Sequence, residues 1–178
     1  MNNTGATQQS QNEYLTGMFR DREGTEQAYT SLRDRGYSED EINVLMSDQT
    51  RDKYYKDGPE TELGSKALEG TGAGAAIGGT LGAIIAGIAA IGTNLFLPGL
   101  GLVVWGPLAA ALAGAGAGGA TGGLVGALIG AGIPEERAIA YEAGIKDGGT
   151  VVGVKPRNPE DAEYFRNEWQ NYRGEHIY

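Results

Sequence analysis

The composition of this 178-residue chain excludes several classes of function. Because it has no cysteine, it has no disulfide, no thiolate metal site and no cysteine nucleophile. Its formal net charge of −9 at pH 7 argues against a nucleic-acid-binding protein, which needs a basic surface. The single histidine, His176, stands close to the end of the sequence, and no cluster of His, Asp and Glu has metal-ligand spacing. We therefore expect no enzyme activity, no cofactor and no metal ion.

A polar tail precedes the first predicted strand and helix. Residues 1–12 carry few apolar side chains and are predicted to be disordered. The pattern of side chains predicts a strand over Glu13–Phe19. Asp21 then stands at the N-cap of a helix that Gly36 ends. These elements begin an α/β domain whose first half is expected to cover residues 13–47.

A second strand and a linker follow. Ser38 and Glu41 have the spacing of a capping box, and Ile42–Met46 has the apolar and β-branched residues typical of a strand. A β-α-β unit of this length is expected to cross over into a parallel pair, so the two strands are predicted to pair with each other. Residues 48–69 are polar and mixed in charge, which indicates a linker.

Residues 70–133 form an uncharged segment that holds 20 of the 31 glycines. Small residues recur at every fourth position in two arms, Gly70–Asn94 and Pro107–Gly132. This step places them on one helix face, where two backbones can approach closely. As a helix, each arm would be about 37 Å long, against roughly 30 Å for the hydrocarbon core of a bilayer. The predicted packing face comprises Gly70, Gly74, Gly78, Gly82, Gly114, Gly118, Gly122, Gly126 and Gly130.

The middle of this segment is predicted to be the tip of a membrane-spanning helical hairpin. Two Gly/Pro pairs interrupt the sequence there, and the connection between the arms carries no charge. Such a tip is suited to lie within a bilayer or to line the constriction of an oligomer. The predicted tip residues are Phe96, Pro98, Trp105 and Pro107.

Residues 134–178 are predicted to complete the α/β domain with a helix, a strand and a further helix. Pro134 followed by two glutamates indicates a helix start, and Thr150–Val154 has a strand composition. Asn158 is placed to cap the last helix.

The aromatic side chains of that last helix have two interpretations. In the first, Phe165 and Trp169 pack on the sheet. In the second, Trp169 and Tyr172 face another subunit or a membrane, where amphipathic rings are favoured.

The predicted fold class is α+β. It combines a small three-stranded sheet and two to three helices, in the order β-α-β … α-β-α, with the long helical hairpin inserted between the halves. The predicted core consists of Leu15, Leu32, Val44, Met46, Ile139, Val152 and Phe165.

Segments on both sides of the uncharged stretch carry a family resemblance. Before it stand Met18-Phe19, the helix Asp21–Gly36 with Tyr37, and the strand Ile42–Met46; after it stand Gly132–Ala138, Tyr141–Gly144 and Gly148–Val152. Together they resemble the bacterial general-stress-protein domain, also called the heat-induced stress protein domain. The resemblance implies a Gly/Ala-rich hairpin between two α/β halves and an association with stress. It implies no catalytic residue.

These patterns together predict a non-enzymatic, stress-associated protein that homo-oligomerises through its glycine faces in a membrane, as an assembly or a pore. The expected partners are copies of the chain and lipid. Because no export signal precedes the hairpin, the α/β domain is expected on the cytoplasmic side. Two alternatives stay open: a soluble shell or filament in which the hairpins bury one another, and a carrier of lipid or another apolar ligand.

Overall fold

The computed structural model describes residues 14–56, 63, 94–97, 101–116 and 123–178. Within these residues the fold is α+β, as predicted. The strands are β1 (Leu15–Phe19), β2 (Ile42–Ser47), β3 (Asn94–Leu97), β4 (Leu102–Trp105) and β5 (Thr150–Val154). The helices are α1 (Arg22–Asp34), α2 (Asp48–Arg51), α3 (Pro107–Gly116), α4 (Gly123–Gly130), α5 (Glu135–Lys146) and α6 (Pro159–Asn171). The predicted tail, residues 1–12, and most of the first arm lie outside the described residues.

The strands form one sheet in the order β1-β5-β2-β4-β3, and all neighbours are antiparallel. The predicted parallel pairing of β1 with β2 is wrong, because β5 lies between them. Val152 pairs with Gly17 on one side and with Val44 on the other. The two strands of the β-α-β unit still run parallel, each against an antiparallel partner.

The prediction of a three-stranded sheet is also wrong, because the uncharged segment adds two strands to the sheet. Leu102–Trp105 pairs with β2, and Asn94–Leu97 pairs with Leu102–Trp105 at the edge of the sheet. Of the residues predicted to form the hairpin tip, Phe96 lies in β3 and Trp105 in β4, while Pro107 begins α3. The apolar strand β4 can be stable here because β2 offers it a sheet edge, and β4 offers an edge to β3 in turn. Pro98 lies outside the described residues.

Helices cover both faces of the sheet. Strand side chains alternate between the faces, so each strand contributes to two cores. Helices α1 and α6 lie on the first face, and α3, α4 and α5 belong to the layer on the second. The first core includes Phe19, Leu32, Val44, Trp105, Phe165 and Trp169, and the second includes Met18, Leu45, Val104, Leu112, Leu128 and Tyr141.

The second arm of the uncharged segment contributes to this second core. Within it, the structure describes α3 with 10 residues and α4 with 8. Leu108 and Leu112 of α3 and Leu128 of α4 are buried. The backbone N–H of Leu108 donates to Oδ1 of Asn43 at 2.6 Å, which fixes the start of α3 to β2. No helix among the described residues combines the length and apolar character needed to cross a bilayer.

Local capping signals place several element boundaries as predicted. Asp21 accepts a hydrogen bond from the N–H of Gly24 at 2.8 Å, and Gly36 follows α1 with a φ of 84°. Asn158 accepts one from the N–H of Asp161 at 2.7 Å. These side chains bond to their own neighbours in sequence, so the boundaries need no tertiary information.

Candidate functional site

The outer surface of the α4–α5 helix pair exposes two isoleucines. Ile129 is 43% exposed and Ile139 is 53% exposed. The N–H of Val125 donates to Oε2 of Glu142 at 3.2 Å, which fixes how the two antiparallel helices align. Ile129 lies four residues from Val125 toward the connecting turn, and Ile139 lies three residues from Glu142. At about 1.5 Å per residue, the two isoleucines therefore lie at nearly the same level along the helix pair.

Two glycines of the predicted packing face lie beside Ile129 in α4. Gly126 and Gly130 lie one turn apart in α4, and Gly130 is exposed. A Cβ added at Gly126 would meet no described atom within 4 Å, so no residue in the described part of the chain covers it. We define the α4–α5 patch as Val125, Gly126, Ile129, Gly130 and Ile139.

The patch lies on helices that pack into the second core. Leu124, Ala127 and Leu128 point from α4 into that core. In α5, Gly144 lies against the side chain of Met18 in β1, so this helix approaches the sheet closely. Helix α4 packs on α3 and α5, and these two helices contact the sheet, so the patch lies on regular secondary structure.

A polar network joins the end of α1 to the start of α6. Asp161 is 6% exposed and accepts hydrogen bonds from the Tyr37 hydroxyl at 2.7 Å and from Nε of Arg35 at 2.8 Å. The Tyr37 hydrogen bond holds the pKa of Asp161 below its usual value. Burial, followed by the hydrogen bond to Asp161, raises the pKa of Tyr37 to about 12. Each partner thus keeps the other in its ordinary protonation state at neutral pH.

A cleft of about 610 Å³ lies beside this network, where β5 ends and β2 begins. It is lined by groups of opposite charge, two of which pair with each other: Nη2 of Arg157 donates to Oε2 of Glu41 at 2.8 Å. That hydrogen bond lowers the pKa of Glu41 to about 2. The cleft is lined by Tyr14, Asp40, Glu41, Pro107, Lys155, Pro156 and Arg157. In the part of the chain that the structure describes, no group of His, Cys, Asp and Glu side chains is arranged to hold a metal ion.

The predicted packing face is only partly described. Gly114 lies in α3, and Gly126 and Gly130 lie in α4. The packing of this face against another helix stays a prediction. Gly70, Gly74, Gly78, Gly82, Gly118 and Gly122 lie outside the described residues.

The aromatic side chains of α6 are divided between the core and the surface. Trp169 is 0% exposed and packs edge-on to Phe19, with ring centroids 5.9 Å apart. Phe165 is also buried, so both rings pack on the sheet as in the first interpretation. Tyr172 is partly exposed and donates to Oε2 of Glu168 at 2.6 Å. Trp169 has no surface to offer to a partner.

Sequence reasoning placed Ile139 in the core, and this placement is wrong. The buried residues of α5 are Ala138, Tyr141, Gly144 and Ile145, which follow helical spacing. Ile139 falls outside that series by one position, about 100° around the helix. The spacing of the buried residues was the signal that could have identified Ile139 as a surface residue.

Comparison of the chain with protein-family models, with curated proteins and with solved structures gave no match. The resemblance to the general-stress-protein domain therefore stays a prediction based on the residues that carry it.

Proposed function

We propose that this chain is a non-enzymatic, stress-associated protein that binds copies of itself through the α4–α5 patch. The observation that carries the proposal is the pair of exposed isoleucines, Ile129 and Ile139, beside Gly126 and Gly130. An apolar, uncharged helix surface loses contact with water when it meets a second copy, and glycine allows the backbones to approach. The stress association is supported only by the family resemblance.

The polar residues give less support to an enzyme. The charged groups that line the cleft neutralise one another, as in the pair of Glu41 with Arg157. The buried carboxylate of Asp161 is held by Tyr37 and Arg35, which leaves it poorly placed to act as a base.

We further propose that the assembly is located at a membrane. The segment from Gly70 to Asn94 contains 25 residues without a charge, which is long enough to enter a bilayer. Because β2 precedes this segment and β3 follows it in the same sheet, both of its ends lie on one side of the membrane, so the segment must enter and leave the bilayer on that side. The burial of Leu108, Leu112 and Leu128 in the second core removes support from the second arm as a partner span. We therefore propose that the first arm places the assembly at a membrane and that the second arm belongs to the folded domain.

The test is the mass of the full-length chain in solution, measured by light scattering with and without detergent. We expect wild-type particles larger than one chain. The Ile129→Lys substitution should raise the dissociation constant at least about tenfold, because it buries a charge in an apolar contact. Thr30→Lys is the matched control, since Thr30 is exposed on α1, across the sheet from the patch.

Four outcomes would separate the alternatives. A wild-type monomer at all concentrations, or a particle unchanged by Ile129→Lys, would contradict self-association through the patch. A large particle that needs no detergent would favour the soluble shell or filament over the membrane location. Lipid that co-purifies with a monomer and appears in its mass spectrum would favour the carrier.

A further inference from the structure

The segment Glu175–Tyr178, which we call the strap, lies along the outer edge of β1. The N–H of Met18 donates to the carbonyl of Glu175 at 2.8 Å, and the reverse bond measures 2.7 Å. Thr16 and Tyr178 exchange a second pair, at 3.2 and 3.0 Å. The strap therefore occupies the position that a sixth, antiparallel strand would take beside β1.

The strap pairs in a defined register. One residue of β1 separates the pairing positions Thr16 and Met18, whereas two residues of the strap separate Glu175 from Tyr178. His176, with a φ of 49°, lies in the longer stretch, as in a β-bulge. The buried hydroxyl of Tyr141 donates to the carbonyl of His176 at 3.0 Å and so holds the bulge.

The side-chain contacts of the strap lie mostly at the surface. Glu175, His176 and Tyr178 are exposed, and Ile177 is partly buried against the first core. Arg20 pairs with Glu175, and the guanidinium of Arg137 lies 4.3 Å from the centroid of the Tyr178 ring. Because exposed contacts of this kind contribute little to stability, the strap depends mainly on its backbone hydrogen bonds. Such a segment can detach without unfolding the rest of the domain.

The hinge between α6 and the strap is short and strained. Arg173 has a φ of 63°, a conformation that L residues rarely adopt. Gly174 follows it and donates to the carbonyl of Trp169 at 2.7 Å. A Cβ at position 174 would lie 2.7 Å from that carbonyl oxygen, so the closed hinge requires glycine.

We propose that the outer edge of β1 is a strand-docking site that two copies of this chain fill reciprocally, each with the strap of the other. The exchanged dimer keeps the four backbone hydrogen bonds of the closed form and opens the hinge at Arg173. Because the same contacts form in both states, the strain of the hinge and the protein concentration set the balance. This docking uses a sheet edge and does not rest on the α4–α5 patch.

Hinge variants shift the balance in opposite directions. Arg173→Gly removes the strain of the closed hinge and should lower the dimer fraction about five- to tenfold. Arg173→Ala is the matched control: it loses the same ion pairs with Asp21 and Glu23 but keeps the strain, so it should not lower the fraction. Gly174→Ala should raise the dimer fraction at least about tenfold, since its Cβ overlaps the Trp169 carbonyl only when the hinge is closed. Equal fractions for all three variants would overturn the proposal, as would a Gly174→Ala monomer with a detached strap.

A charge exchange between copies tests the docking directly. Nε of Arg20 at the end of β1 lies 2.9 Å from Oε2 of Glu175. Arg20→Glu and Glu175→Arg each place like charges together within one chain, but a reciprocal dimer of the two variants pairs opposite charges at both edges. Native mass spectrometry of the mixed full-length variants should show heterodimer at least about threefold above the mixed wild-type level.

Both copies in this experiment carry Ile129→Lys, so the result does not depend on the proposed function. A heterodimer in this background supports strap exchange even if the patch has no role. A mixture without heterodimer enrichment would overturn the inference, whereas self-association through the patch would stand on its own measurement.

Discussion

The turn from β4 into α3 depends on Gly106, and alanine there should lower the free energy of unfolding by about 2–5 kcal/mol. Gly106 has a φ of 90°, where an L side chain costs roughly 1–2 kcal/mol. The added Cβ would overlap the carbonyl oxygen of Ile42 and would lie 2.9 Å from Cα of Asn43. Because these are backbone atoms of β2, relief requires a shift of the strand, and overpacking of this kind costs about 1–3 kcal/mol.

Gly101→Ala is the matched control for this substitution. Gly101 has a φ of 60°, and a Cβ there would meet no described atom within 4 Å. It should therefore lose only the roughly 1–2 kcal/mol of backbone strain. Urea denaturation of both full-length variants, followed by circular dichroism, measures the difference. Equal free energies of unfolding would refute the packing of this turn against β2, and with it the placement of α3 on the sheet.

Two further predictions concern acid stability and the second core. The hydrogen bond from Arg157 lowers the pKa of Glu41 to about 2 in the folded protein, against roughly 4.3 in the unfolded chain. The ionised Glu41 therefore adds to the free energy of unfolding above the unfolded pKa, and this contribution is lost as the pH falls toward 2. In urea titrations, Glu41→Gln should thus be less stable than wild type at pH 6, by about 1 kcal/mol or less at this exposed site, and as stable as wild type near pH 2. A difference that does not change with pH would contradict the role of the Glu41 charge. Leu128→Ala should lower the free energy of unfolding by about 2–5 kcal/mol because the Leu128 side chain is fully buried. Ile129→Ala should change it by about 0.5 kcal/mol or less because Ile129 is exposed. Similar shifts of the melting temperature for both variants would contradict the orientation of α4.

The elements that flank the uncharged segment could be predicted from sequence because their signals are local. The Asp21 cap and the Gly36 end delimit α1, and Asn158 starts α6 through a hydrogen bond within three residues. The strands β2 and β5 follow from short apolar runs between such boundaries. The order of strands was not accessible in this way. Insertion of β5 between β1 and β2 depends on contacts between residues more than 100 positions apart, such as Val44 with Val152.

The structure of the uncharged segment was in part predicted wrongly because its composition does not show which side of an element faces the protein core. Without charged residues, a helix face toward lipid and one toward a protein core have the same pattern. Val103 and Trp105 of β4 are buried on the first face, and Leu102 and Val104 on the second, so a strand buried on both sides shows no polar alternation. The apolar run Leu102–Trp105 has only four residues, which is short for a helix and ordinary for a strand. Its length was the one sequence feature that favoured a strand.

The same composition limited the prediction of the candidate site. The four-residue glycine step does include Gly126 and Gly130 of the patch, but it gives them no priority over the other seven positions. What distinguishes them is tertiary packing: Leu124 and Leu128 turn one face of α4 into the core, which leaves the opposite face, with Gly126 and Gly130, outside. Ile139 belongs to the surface for a similar reason, since Ala138 and Tyr141 occupy the inward positions of α5.

The described glycines of the uncharged segment therefore serve two separate purposes. Glycines with left-handed φ stand where elements meet, and a continuous α-helix cannot pass through such residues. Those in the described part of the uncharged segment are Gly101, Gly106, Gly123 and Gly132. None of the four belongs to the four-residue step, whereas Gly114, Gly126 and Gly130 lie inside helices. In the described part of the second arm, the step thus acts only over the short helices α3 and α4, so the proposed approach of a second copy there is an approach to the surface of the domain, where α4 packs on α3 and α5.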